Sequence, residues 1–79
     1  MNKQDIVEMI ARHAREVVVG LESHNIDPND SLRHLGANSV DRAEIIMMTL
    51  ESLSLSVPLV DLAQAENIGE LADIIHARA

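Results

Sequence analysis

A small all-α fold is what this 79-residue sequence predicts: a bundle of four helices with a long first loop and a short third helix. Three observations carry that expectation. Apolar residues return every three or four positions in separate stretches, the period of a helix with one buried face. Two asparagines, Asn38 and Asn67, each stand three residues ahead of an acidic side chain, Asp41 and Glu70, as at a capped helix start. Between the helical stretches lie Pro28, Gly36 and Pro58, which break a helix more readily than they continue one.

The first helix is expected from about Lys3 to Leu21. Ile6, Ile10, Val17 and Leu21 fall at helical intervals, with Val7, Ala14 and Val18 beside them. Asp5, Glu8, Arg12, Arg15, Glu16 and Glu22 lie mostly off that stripe. Val17-Val18-Val19 has a local taste for a strand, because β-branched side chains lose freedom in a helix. Isolated in a helix-period stretch, the run is read as helix.

A long connection follows, from Glu22 to Ala37, with Pro28 and several Asn and Asp residues as turn formers. Ile26, Leu32 and Leu35 are too regularly apolar for a free linker and should pin it to the helices. Ser31 to His34 is expected to make one short helical turn, and Gly36 to supply a positive φ just before the next helix.

The second helix, about Ser39 to Leu53, carries Ala43, Ile46, Leu50 and Leu53 on one face. Ile45, Met47 and Met48 widen that apolar arc. Either the helix is buried on two sides, or Met47 or Met48 stays partly exposed and meets a partner or an acyl chain, as the pliable thioether allows. Ser54 to Pro58 breaks the helix. Leu59 to Ala65 is a weakly signalled third helix, and Asn67 with Glu70 opens a last one that turns Ile68, Leu71, Ile74 and Ile75 inward.

Composition excludes several functions. The formal net charge is −7 and only six basic residues are scattered along the chain, so the clustered cations that phosphate backbones demand are missing, and nucleic acid is not an expected partner. An acidic surface instead suits partners with basic docking patches. No apolar run approaches the roughly 20 residues of a membrane span. The first residues lack a signal-peptide profile, and with no cysteine present a cytoplasmic protein is expected. There is no Phe, Tyr or Trp, so the core rests on aliphatic side chains, each worth roughly 1.5–3 kcal/mol when fully buried.

Some chemistry can be set aside. Gly36-Ala37-Asn38-Ser39-Val40 has the wrong glycine spacing for a nucleophile elbow, and no strand precedes it. His13, His24, His34 and His76 lack ligand spacing and are read as solvated. Asp27-Pro28-Asn29-Asp30-Ser31 is faintly like a calcium loop, but Leu32 stands where glycine is needed and Asn38 where glutamate is needed.

The informative stretch is Leu35-Gly36-Ala37-Asn38-Ser39-Val40-Asp41. Asn38 reads as the cap, so Ser39 stands beside unpaired backbone N–H donors, a place suited to a phosphate ester. On those grounds alone Ser39 reads first as an ordinary serine of a helix start. The stretch resembles, however, the attachment motif of acyl carrier proteins, in which a serine bears a 4′-phosphopantetheine arm. Asn38 replaces the usual aspartate before the serine, and Val40 the usual leucine after it. The resemblance extends over nearly the whole chain, through Asp30-Ser31-Leu32, Val57-Pro58 and the Ile68-to-Ile75 helix. It implies one acyl carrier domain over residues 1–79, with Ser39 modified by a phosphopantetheinyl transferase and acyl groups carried as thioesters by a chain that performs no turnover itself.

More narrowly, Gly36 through Met48 resembles the discrete donor carriers of polyketide β-branching cassettes. That likeness implies a carrier of acetyl or malonyl that donates acetyl to an enzyme similar to hydroxymethylglutaryl-CoA (HMG-CoA) synthase, with a decarboxylating ketosynthase and an acyltransferase as further partners. The alternatives are a general fatty-acid or aminoacyl carrier, or an unmodified helical interaction module. The second helix would be the docking surface, with Asp41, Glu44 and Glu51 meeting basic residues and Met47 an apolar one. Arg42 would discriminate partners by charge. The neighbours of Arg42 along the helix are Asn38, Ser39, Ile45 and Ile46, so no carboxylate faces it, and a solvated arginine without a role is the other reading.

Overall fold

In the computed structural model, which describes residues 1–79, the chain forms α1 (Lys3–Val17), α2 (Ser39–Ser52), α3 (Leu59–Leu62) and α4 (Ile68–Arg78). The all-α, four-helix expectation holds. Helix α1 packs against both α2 and α4, and the short α3 closes against α4. The centre of the interior is aliphatic apart from Thr49: Ile6, Ile10, Ile45, Leu62, Ile68 and Ile75 are shut off from solvent with it. No helix is long and apolar enough to cross a membrane.

Helix α1 begins with a reciprocal cap. The Asn2 side chain accepts from the Asp5 N–H at 2.9 Å and the Asp5 carboxylate accepts from the Asn2 N–H at 3.1 Å. The helix ends four residues sooner than its periodicity suggests. Val18 is already extended, at φ −101° and ψ 119°, although its N–H still donates to the Ala14 carbonyl. Of the valine run, Val17 is still helical, only Val18 is extended, and Val19 enters a turn in which Gly20 takes φ +98°. Val18 and Leu21 nonetheless point into the core while Val19 is 95% exposed, so the buried spacing of the α1 stripe persists beyond the end of the helix.

The connection to α2 is held down as expected, with Leu32 buried and Ile26 and Leu35 packed against the core. The supposed calcium loop spends its carboxylates on itself: Asp27 accepts from the Asn29 N–H and Asp30 from the Asp27 N–H, both at 2.8 Å. Two carbonyls of this loop also serve α4. The Ile68 and Gly69 N–H groups, orphans of a helix start, donate to Asp30 and Pro28 at 2.9 and 2.8 Å. Glycine at 69 suits that close approach, because a Cβ there would sit a tight 3.2 Å from the Pro28 oxygen.

Other expectations are corrected. The innermost residues of α2 are Ile45 and Thr49, both at 0% exposure, whereas Ala43, Ile46 and Leu53 are only half-buried. Thr49 is accommodated because its hydroxyl donates to the Ile45 carbonyl at 2.9 Å. Helix α3 is one turn, Leu59–Leu62, rather than reaching Ala65. At α4, Asn67 does cap the Glu70 N–H at 2.7 Å, but the Glu70 carboxylate takes the Glu66 N–H instead of the Asn67 N–H. His13 is not solvated. It is 7% exposed between α1 and α2, with Nε2 3.3 Å from the Ser52 hydroxyl and Nδ1 3.5 Å from Glu16.

Candidate functional site at the head of the second helix

The approach to α2 is built from one helical turn and its stop. The Ser31 hydroxyl caps the His34 N–H at 3.0 Å, and the Leu35 N–H donates to the Ser31 carbonyl at 3.1 Å. The turn is then closed by two bonds, Ala37 N–H to Leu32 O at 3.0 Å and Gly36 N–H to Arg33 O at 3.1 Å. This is a Schellman closure, and it needs a left-handed residue where Gly36 stands, at φ +103°. Ala37 and Leu32, the two ends of that closure, are both buried, which anchors the turn.

From this anchor the chain passes directly into the cap of α2. Asn38 is extended, and its side chain accepts from the Asp41 N–H at 2.8 Å while the Asp41 carboxylate accepts from the Asn38 N–H at 3.2 Å. Ser39 is the first helical residue and its side chain is exposed. With Asp41 N–H taken by the cap and Arg42 N–H by the Asn38 carbonyl, the N–H groups of Ser39 and Val40 have no partner within the chain. An exposed hydroxyl therefore stands beside two free amides at the positive pole of a helix, an arrangement that receives an anionic ester.

A groove of about 240 Å³ opens at Ser39 and is lined by Arg42, Ala43, Ile46, Leu59 and Ala63. It abuts a larger cleft of about 410 Å³ between the Ser31–His34 turn, Leu62 and the start of α4, and Arg42, Ile46 and Ala63 line both. Arg42 is thus neither a solvated arginine nor the partner of a carboxylate. The residue is half-buried, and its guanidinium donates to the Ala37 carbonyl at 3.0 Å, reaching back past the helix start. No search along the helix could find that bond, because its acceptor lies five residues earlier in the loop.

The other site residues named from the sequence share one side of α2. Glu44 and Glu51 are exposed, and Met47 between them is 49% exposed while Met48 is half-buried. Asp41 flanks this stripe, its carboxylate engaged in the cap. Sequence reasoning missed other exposed apolar residues: Val40 on α2 is 71% exposed, and Leu59, which lines the groove, and Val60 on α3 are 42% and 71% exposed. Their signal was present only as hydrophobic residues outside the core-facing positions.

Comparison with known proteins agrees with this geometry. Residues 5–75 match the family described as the phosphopantetheine attachment site. The chain is 49% identical over 76 residues to the polyketide biosynthesis acyl-carrier-protein AcpK of Bacillus subtilis (strain 168), covering 96% of this chain and 93% of that protein. It is 33% identical to an acyl carrier protein of Cyanidioschyzon merolae (strain NIES-3377 / 10D), covering 95% of this chain and 82% of that one. Among solved structures it is similar to a chain in the crystal structure of the curacin biosynthetic pathway HMG synthase in complex with acetyl donor-ACP. There the TM-score is 0.92 and the identity 49%, over 98% of this chain and 99% of that one.

Proposed function

The chain belongs to the acyl carrier proteins, the family that bears a covalent 4′-phosphopantetheine, and from that premise we propose that Ser39 is the attachment residue and that the loaded chain donates acetyl groups in polyketide β-branching. The residues present fit the group. An exposed Ser39 hydroxyl, two free amides and a cationic side chain meet at one rim, beside a groove. The observation that carries the attachment is Ser39 itself, held at the first position of a doubly capped helix. When bound, the group supplies a flexible arm whose terminal thiol holds an acyl group as a thioester.

This chain's own residues then do three things. The Gly36 closure and the Asn38–Asp41 cap fix the direction in which the Ser39 oxygen leaves the fold. The free amides of Ser39 and Val40 offer hydrogen bonds to a phosphate oxygen. The stripe of Val40, Glu44, Met47 and Glu51 offers a docking partner an apolar strip edged with negative charge, and Asp41 and Arg42 give that edge its mixed charge near Ser39. Tethering raises the effective concentration of the acyl group at whichever enzyme is docked. The chain performs no catalysis of its own.

The donor role is supported by likeness to the polyketide carrier of Bacillus subtilis and to a chain of matching length in the curacin complex. On this reading the phosphopantetheinyl transferase, an acyltransferase, a decarboxylating ketosynthase and an enzyme similar to HMG-CoA synthase are its partners, in the cytoplasm. Incubation with a broad-range transferase and CoA should add one arm, read by intact mass, to the wild type and none to Ser39→Ala. The acetyl-loaded chain should then pass acetyl to a β-ketoacyl acceptor carrier through the branching synthase, and serve a fatty-acid ketosynthase poorly. An arm on Ser39→Ala would overturn the attachment, and efficient service of the ketosynthase alone would overturn the donor role.

A further inference from the structure

Arg42 is the one cation on α2, and it stands in the first turn, where the helix dipole disfavours positive charge. Nothing in the chain neutralises it. The ion pairs Lys3–Asp73 and Arg78–Asp61 and the histidine–carboxylate contacts His13–Glu16 and His24–Asp30 all lie elsewhere, and the guanidinium's contact is with a neutral carbonyl, that of Ala37. The residue as a whole is half-buried against the groove at the helix start. Because the side chain reaches back toward Ala37, the guanidinium lies along the end of the helix that Ser39 occupies, and the two residues line one groove.

We infer, on the reading that Ser39 carries the arm, that Arg42 is the residue that receives the arm's phosphodiester. One N–H of its planar fork holds the Ala37 carbonyl, and the remaining donors meet a phosphate oxygen, together with the free amides of Ser39 and Val40. Loading thereby turns an uncompensated cation into a partnered one and couples the phosphate, through Ala37, to the closure at Gly36. Before loading, the rim presents a positive charge to a partner. After loading, that charge is spoken for, so an enzyme that reads charge at this rim meets two different surfaces.

The test is a cycle of apo and loaded proteins for the wild type, Arg42→Gln and Arg42→Lys, with the arm on Ser39 first established by intact mass and peptide mapping. Loading should raise the wild-type melting temperature by roughly 2–6 °C more than it raises that of Arg42→Gln. Arg42→Lys should recover part of the difference, and 1 M salt should shrink it. On the wild type alone, loading should slow the rotation and exchange of the Arg42 Nη protons seen by ¹⁵N NMR. Equal loading shifts in all three proteins, or Arg42 Nη signals indifferent to the arm, overturn the role of Arg42 while leaving attachment at Ser39 intact. An arm found elsewhere than Ser39 overturns both.

Discussion

Two helices of this protein start with the same device, and the pair provides an internally controlled experiment. Asn2–Asp5 and Asn38–Asp41 are both reciprocal caps with bonds of 2.8–3.2 Å. Asn38→Ala removes the acceptor of the Asp41 N–H and leaves the Asp41 carboxylate on the backbone N–H of residue 38. One cap bond is lost, at a cost of about 1 kcal/mol. For a chain of 79 residues that corresponds to a fall of roughly 4–8 °C in melting temperature. Asn2→Ala should cost a similar amount by thermal or urea unfolding. The two must part in function, because only Asn38 orients the residue next to it, Ser39. Loading by a phosphopantetheinyl transferase, followed by intact mass at a temperature where all variants are folded, should slow for Asn38→Ala and stay at the wild-type rate for Asn2→Ala. Asn38→Asp keeps the acceptor and should load normally, with stability within about 0.5 kcal/mol of wild type, since a favourable charge at the helix start is offset by the nearby Asp41. If both alanine variants load alike, the cap does not position Ser39 and the reasoning fails.

Three further outcomes are expected. Gly36→Ala should destabilise by about 1–2 kcal/mol in urea unfolding, because φ is +103° while the nearest obstacle to a Cβ, the Val18 side chain, is a tolerable 3.6 Å away; Gly36→Asn should cost less. Ser52→Ala should lower stability by about 1 kcal/mol, since it leaves Nε2 of the buried His13 without its 3.3 Å partner, and His13→Leu in that background should recover part of the loss. Glu44→Lys and Glu51→Lys, both at exposed positions, should unfold within about 0.5 kcal/mol of wild type yet slow association with the branching synthase, most clearly at low salt by stopped-flow or surface binding.

The start of every long helix was legible in the chain itself. Asn38 with Asp41 and Asn67 with Glu70 are bonds across three residues, and Gly36 answers a demand made by its own backbone, so all of them are written locally. The likeness around Ser39 was legible for the same reason, being a run of adjacent residues. Where bonds or burial join distant residues, local reading stopped short. Helix α1 ends at Val17, where Val18 turns extended and Gly20 takes φ +98°, although Val18 and Leu21 keep the spacing of a buried helical stripe that sequence reading followed too far. His13 is buried because Ser52, far along the chain, meets it. Ile45 and Thr49, not Ala43, are innermost on α2 because α1 packs there, and the groove at Ser39 exists because α3 lies where it does.

Arg42 marks the boundary most clearly. Its sequence neighbours offer no partner, and only the turn that brings the Ala37 carbonyl under the helix end gives it one. Hydrogen bonds spanning three or four residues need only a helix to form, so sequence by itself determined the caps and with them the exposed serine. Which charge stands beside that serine, and what it holds, depends on packing that sums many distant contacts. That was decided by the tertiary structure alone.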